Sequence, residues 1–139
     1  MDVLSKEQRR RNMRAIKSKG TKDELLLSKT LWNRGYRYRK NDKTVIGKPD
    51  LTFKKYKIAI FVDSEFFHGK DWAKEKYRIK TNREFWWKKI EQNINRDRFV
   101  NEELSKNGWK VLRFWSKDIR KNLPSCIDII EQAISEKKE

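Results

Sequence analysis

Residues 57–63 read Lys-Ile-Ala-Ile-Phe-Val-Asp, a run with apolar side chains on both faces of an extended chain. A strand of that kind has no side to offer to water, so it must lie centrally, covered on both faces. The rest of the chain is read around it. Asp50–Phe53 forms the other strand of a hairpin, entered through the turn Gly47-Lys-Pro49. Tyr36-Arg-Tyr-Arg39 alternates like a short strand, and Trp109–Trp115 is a further strand. Three Ser/Thr-x-x-Glu/Gln sequences, Ser5–Gln8, Thr21–Glu24 and Thr81–Glu84, have the form of capping boxes and open helices. The first runs to about Ser18. The second carries Leu25, Leu26, Leu27, Leu31 and Trp32 and stops near Gly35. The third carries Phe85, Trp86, Ile90, Ile94, Val100 and Leu104, runs to about Lys106 and ends at Asn107-Gly108. A last amphipathic helix starts at Pro124-Ser125, and residues 64–81 read as a loop. The order α–α–β–β–β–α–β–α describes one mixed α/β domain over 1–139, a central mixed sheet flanked by helices.

Charge narrows the partner. The 139 residues carry 36 Lys and Arg against 20 Asp and Glu, a net of +16. The excess is +9 over residues 1–50, +6 over 51–100 and only +1 beyond. So basic a chain attracts polyanions and gains from the counterions they release, which points to nucleic acid. The first helix holds Arg9, Arg10, Arg11 and Arg14 with little apolar surface, so residues 1–20 read as a basic helix that lies on DNA rather than on a core. One cysteine, Cys126, excludes an internal disulfide framework and a multi-cysteine zinc site. No apolar run spans a bilayer and the N-terminus lacks the pattern of a signal peptide, so the expected setting is the cytoplasm, with no membrane partner.

Chemistry concentrates in two places. Asp50 follows a proline at the start of a strand, where aspartate is unfavourable unless something compensates it. Capping of local N–H groups is the plainer alternative. The central strand then runs out into Asp63-Ser-Glu-Phe-Phe-His68, which holds the only histidine of the chain. Phosphodiester cleavage needs a positive centre on the phosphate, an activated water and a proton for the leaving oxygen. Asp50 with the Val62 carbonyl, or with the Asp63 side chain, makes an oxygen site suited to Mg²⁺, and His68 supplies an acid or base. Phe66-Phe67 and Phe85-Trp86-Trp87 stand beside Lys88, Lys89, Arg96 and Arg98, a mixture able to unstack a base step and hold its phosphates. Two adjacent phenylalanines in extended chain point opposite ways, so both are not expected in the core.

These residues carry a resemblance. Arg11-Asn-Met-Arg-Ala-Ile16, Gly47-Lys-Pro-Asp50, Ile60-Phe-Val with Phe66-Phe-His68, Arg83-Glu-Phe-Trp86, Asn93 with Arg96-Asp-Arg98, and Gly108-Trp through Trp115 are similar, in order, to blocks of the very-short-patch repair (Vsr) endonucleases. The resemblance implies a restriction-endonuclease-like fold. It also implies Mg²⁺-dependent nicking of one strand at a T:G mismatch, with Mn²⁺ as an alternative metal. By position, Asp50 matches the metal-binding aspartate, His68 the catalytic histidine and Glu24 a glutamate that helps orient the chemistry. Val62 matches a backbone-carbonyl ligand. Phe66, Phe67 and Trp86 match the aromatic wedge, and Lys89 and Asn93 match readers of the mismatched pair. Met13 and Arg14 lie in the helix that clamps the other groove, and Arg96 and Arg98 in a DNA-contacting block. The resemblance implies mismatched double-stranded DNA as the partner; repair accessory proteins are a further candidate, and nicking one strand needs only a monomer.

Glu65, Lys70 and Ser116-Lys117 stand where the founding members carry zinc ligands, so no structural zinc is expected and another contact, such as an ion pair, must hold residues 64–72. Two other readings stay open: a restriction or mobile-element nicking enzyme of the same fold, and a DNA-binding module without catalysis.

Overall fold

The computed structural model describes residues 21–138. The basic helix expected over Ser5–Ser18, with Met13 and Arg14, lies outside them. Helix α1, Lys22–Asn33, starts where the sequence places it: Thr21 Oγ1 accepts a hydrogen bond from the Glu24 N–H at 3.2 Å, the first half of the capping box. The Glu24 side chain is withdrawn from water, 3% of the residue being exposed. Leu27 and Leu31, one turn apart, face the core.

Four strands follow in the sheet order β1-β2-β3-β4: β1 Arg39–Lys40, β2 Leu51–Phe53, β3 Ile58–Asp63 and β4 Lys110–Trp115. The first two pairings are antiparallel and β3–β4 is parallel. A parallel neighbour requires a crossover, provided here by the long helix α3, Arg83–Lys106. It ends as the sequence predicts. Gly108 takes φ +83° and lets Trp109 N–H reach back to the Leu104 carbonyl. The last helices are α4, Ser116–Lys121, and α5, Leu123–Lys138.

The apolar run 58–61 is buried, as its composition demands. Ile58 and Ile60 point into the larger core with Leu27, Leu31, Leu112 and Ile130. Ala59 and Phe61 point to the other face, against Val100 and Leu104 of α3. The described residues thus form three layers, with α1, α4 and α5 on one side of the sheet and α3 on the other.

Four expectations need correction. The alternation at Tyr36–Arg39 is not itself a strand: β1 is displaced to Arg39–Lys40, because Tyr36 and Tyr38 turn their rings onto Phe53. The segment 64–81 is not all loop, since it contains α2, Trp72–Glu75, and a 3₁₀ turn at Lys76–Arg78. That insert is docked on α3 by Trp87, whose Nε1–H donates to the Lys76 carbonyl at 2.8 Å while the Lys76 ammonium lies 4.9 Å from its ring. The third capping box does not form; Asn82, not Thr81, caps α3, in a left-handed conformation and without a side-chain bond. Finally, α4 is a helix of its own ahead of the predicted one, and α5 begins at Leu123.

The loop after β3 is tied down by protein groups. Gly69, at φ +67°, packs so closely that a Cβ there would meet Ile94 Cδ1 at 2.5 Å. Asn93 Nδ2 donates to the Phe67 carbonyl at 2.9 Å. Glu65 Oε1 accepts from the Lys117 N–H at 2.8 Å, capping the first turn of α4, whose own N-cap, Trp115, offers no side-chain bond. Lys70 Nζ lies 5.9 Å from the Trp115 ring. The fastening is therefore a carboxylate on a backbone N–H, a cation over an aromatic ring, and the pair that His68 of the loop makes with Asp97 of α3 at 2.6 Å. Glu65→Ala should cost about 1 kcal/mol in chemical denaturation, and Glu65→Gln, which keeps an acceptor, less than half of that. Equal losses for both would mean that the carboxylate oxygen is not what holds the loop.

Candidate active site

Asp50 stands just before β2, and the antiparallel register brings it beside the carboxyl end of β3. Its Oδ2 accepts from the Val62 N–H at 2.6 Å, so the adjacency expected of the hairpin is realised. The residue is 8% exposed. Burial pushes its carboxyl up to about 7, with the nearby charges of Glu24 and Asp63 adding to the rise; the Val62 N–H and His68 oppose it. Asp50 thus feels Glu24, Asp63 and His68 at once, although these come from α1, the end of β3 and the following loop.

His68 is held from the opposite side. Its Nδ1 lies 2.6 Å from Asp97 Oδ2 and 3.7 Å from Asp63 Oδ1. A carboxylate only accepts, so Nδ1 carries the proton and Nε2 is left to work. Burial alone lowers the His68 pKa. The bond to Asp97 and the charges of Asp63 and Asp97 outweigh it, against the Arg113 charge, and the net shift is upward. Asp63, the last residue of β3, is paired with Arg113 of β4 at 3.1 Å. Burial raises its carboxyl above the ordinary range, opposed by His68 and Arg113.

The aromatic residues gather beside this site. The loop is a turn, not extended chain, so Phe66 and Phe67 end on the same side with ring centroids 5.2 Å apart. Trp86 of α3 meets them at 5.3 and 6.1 Å, and Phe85 meets Trp86 at 5.2 Å. Phe66 is 45% exposed and Phe85 59%, so Phe85 is not the inward-facing residue that the helical pattern suggested. An exposed cluster of rings, on and beside a helix that also carries the exposed Lys89, Arg96 and Arg98, is suited to stacking on bases beside a phosphate backbone.

Helix α3 organises the site through residues four apart. Asn93 holds the Phe67 carbonyl, Asp97 holds His68, and Asn101 Oδ1 accepts from Arg113 Nε at 2.7 Å. Of these, the sequence reading singled out only Asn93. Asp97, Asn101 and Arg113 were missed, although the four-residue spacing from Asn93 placed Asp97 and Asn101 on its helical face. Lys89 lies one turn earlier on the same face and stays exposed.

The amino-acid sequence matches the family described as DNA mismatch endonuclease Vsr over residues 1–74. It is 56% identical over 138 residues to the type II nicking enzyme V.HpaIIP of Haemophilus parainfluenzae, covering 99% of this chain and 98% of that protein. It is 55% identical over 138 residues to the type II nicking enzyme V.NmeDIP of Neisseria meningitidis serogroup C, covering 99% and 93%. To the DNA mismatch endonuclease Vsr of Escherichia coli K12 it is 35% identical over 119 residues, covering 86% and 76%. A family match over more than half of the chain, and relatives aligned along most of their own length, agree with the fold: the chain belongs to the Vsr family of DNA mismatch endonucleases.

Proposed function

We propose that this endonuclease nicks one strand of duplex DNA beside a T:G mismatch, using a divalent metal at Asp50 and His68 as its proton-transfer group. The observation that carries the reading is the convergence of two differently held groups at one strand end. One is a buried carboxylate at Asp50; the other is an imidazole at His68 fixed by Asp97. Burial lifts the Asp50 carboxyl to about 7, and the charges of Glu24 and Asp63 add to the rise, so this is a carboxylate whose ionised form a cation would favour and the donor set fits a metal. Asp50 would hold it together with the Val62 carbonyl, because the N–H and C=O of one strand residue leave toward the same neighbour. Glu24 would orient the waters around it, and Asp63 would contribute charge from across the site. Mg²⁺, or Mn²⁺ in its place, supplies a positive centre on the scissile phosphate and lowers the pKa of bound water. His68 Nε2 then moves a proton at the reacting phosphate while Asp97 fixes the ring.

Phe66, Phe67 and Trp86 would enter the base step next to the mismatch, with Lys89 and Asn93 at the mismatched pair and Arg96 and Arg98 on phosphates. Asn93 spends one amide hydrogen on the loop and keeps its oxygen and second hydrogen for a base. Met13 and Arg14 would act from the opposite groove. One monomer suffices to cut one strand. The relatives at 55% and 56% identity are type II nicking enzymes, which favours a second reading, a restriction-type nicking endonuclease of the same fold.

Asp50→Asn should abolish nicking and leave duplex binding within about twofold, since the lost charge faces the metal and not the phosphate contacts. The same change should stabilise the metal-free protein. The unfolded chain ionises this carboxyl near pH ~4 and the folded chain only near 7, so its stabilising contribution is full at low pH and is lost as pH rises through about 7. At pH 8 the gain in Asp50→Asn should reach about 2–4 kcal/mol by denaturant titration and vanish near pH 4. Destabilisation at pH 8 would contradict the burial that raises the Asp50 carboxyl. Metal affinity in the wild type should rise with pH and level off above about 7, because the metal must displace the Asp50 proton. Phe67→Ala should weaken binding to mismatched duplex by about 1–3 kcal/mol in a fluorescence titration, and by much less on fully paired duplex. Equal losses on both would assign the ring to the fold.

A further inference from the structure

Asp63, His68 and Asp97 offer ligand atoms that all lie within 4.8 Å of one another, a set able to take a cation. A cation is already built in beside them. Arg113 Nη1 lies 3.1 Å from Asp63 Oδ2, 3.2 Å from Asp63 Oδ1 and 3.5 Å from Asp97 Oδ1. Its Nε donates to Asn101 Oδ1 at 2.7 Å, and its Cζ lies 4.0 Å from the centre of the Phe61 ring. The guanidinium is therefore clamped at both ends and on one face, in a cavity of about 320 Å³ that His68 also lines. Only 18% of the Arg113 side chain is exposed.

We propose that Arg113 is the positioning residue of this site: by holding Asp63 and Asp97 together it fixes Asp97 against His68 Nδ1, so that Nε2 is presented to the reacting phosphate. Without the guanidinium, two carboxylates facing one imidazole would repel each other, and Asp97 would lose the partner that fixes its second oxygen. A lysine at this place supplies the charge but, lacking the planar fork, cannot reach both carboxylates and Asn101 at once. The proposal deepens the functional reading above, in which His68 moves the proton, yet its structural part is measurable without DNA or metal.

His68 is the only histidine of the chain, so its ring nitrogens are observed without ambiguity in the full-length ¹⁵N-labelled protein. At a pH where the ring is neutral, the wild type should show the proton on Nδ1. In Arg113→Met the nitrogen shifts should move toward the Nε2–H form that an unconstrained histidine side chain prefers. With duplex substrate and Mg²⁺, kcat should fall about 10–100-fold while KM stays within about twofold. Arg113→Lys should recover part of both. A folded Arg113→Met with wild-type nitrogen shifts overturns the proposal, whatever its kcat. If Arg113→Met does not fold, Asn101→Ala decides the question, since it frees Nε and uncovers no charge. Shifts intermediate between the two forms support the clamp, and wild-type shifts overturn it. Should no duplex be cut at all while the nitrogen shifts move as stated, the positioning holds and the functional reading fails.

Discussion

Carboxylates withdrawn from water at the end of one central strand are the constraint around which the rest of this protein is arranged. Asp50 and Asp63 are both nearly inaccessible, and Glu24 adds its charge from α1. Burying an ionised carboxylate without compensation is costly, so each must be answered. Asp63 is answered by Arg113 and His68. Asp50 has the Val62 N–H and still sits near 7, part-way between its charged and neutral forms. That residual imbalance is the feature that a metal would remove, and it explains how a group that weakens the metal-free fold is suited to chemistry.

The answer to the charge also determines the shape of the surrounding chain. β4 brings Arg113 beneath Asp63, and α3 runs the length of the sheet to set Asp97 and Asn101 on either side of that arginine. The same helix continues by one turn to Asn93, which fastens the loop that carries His68 and the two phenylalanines. Glu65 fastens the loop again from the β4 end, where the founding members of the family are expected to use zinc. Rings proposed to enter a base stack would have to keep their place against a duplex, and these attachments to rigid elements supply that stiffness. In this respect the proposed wedge and the proposed proton-transfer group are one construction, since Phe66, Phe67 and His68 are consecutive.

Much of this was legible in residues 47–68, because the signals there are local. An all-apolar strand announces a central position, and an aspartate after proline at a strand start announces a need for compensation. The hairpin placed Asp50 beside Val62 by simple register. The helix ends at Gly35 and Gly108 were equally local. What escaped the sequence depends on contacts far apart in the chain. Arg113 lies 50 residues from Asp63, and nothing in an alternating strand marks one charged residue as internal. Phe85 followed the helical pattern into the core on paper, yet it is exposed, and the residues of α3 that are buried are Ile90, Val100 and Leu104. The capping box at Thr81–Glu84 failed because the insert docked by Trp87 sets the entry to α3, and Asn82 takes a left-handed conformation to meet it.

The central claim is that a fixed imidazole and a carboxylate-held metal cut one strand where the bases are mispaired. It is tested most directly by incubating end-labelled duplexes with Mg²⁺, one set with a T:G pair in varied flanking sequence and the other fully paired in the same sequences. The account predicts a single nick on the T strand of mismatched duplexes only, lost in His68→Ala. Equal cutting of the paired duplexes, or cutting of both strands, would contradict it.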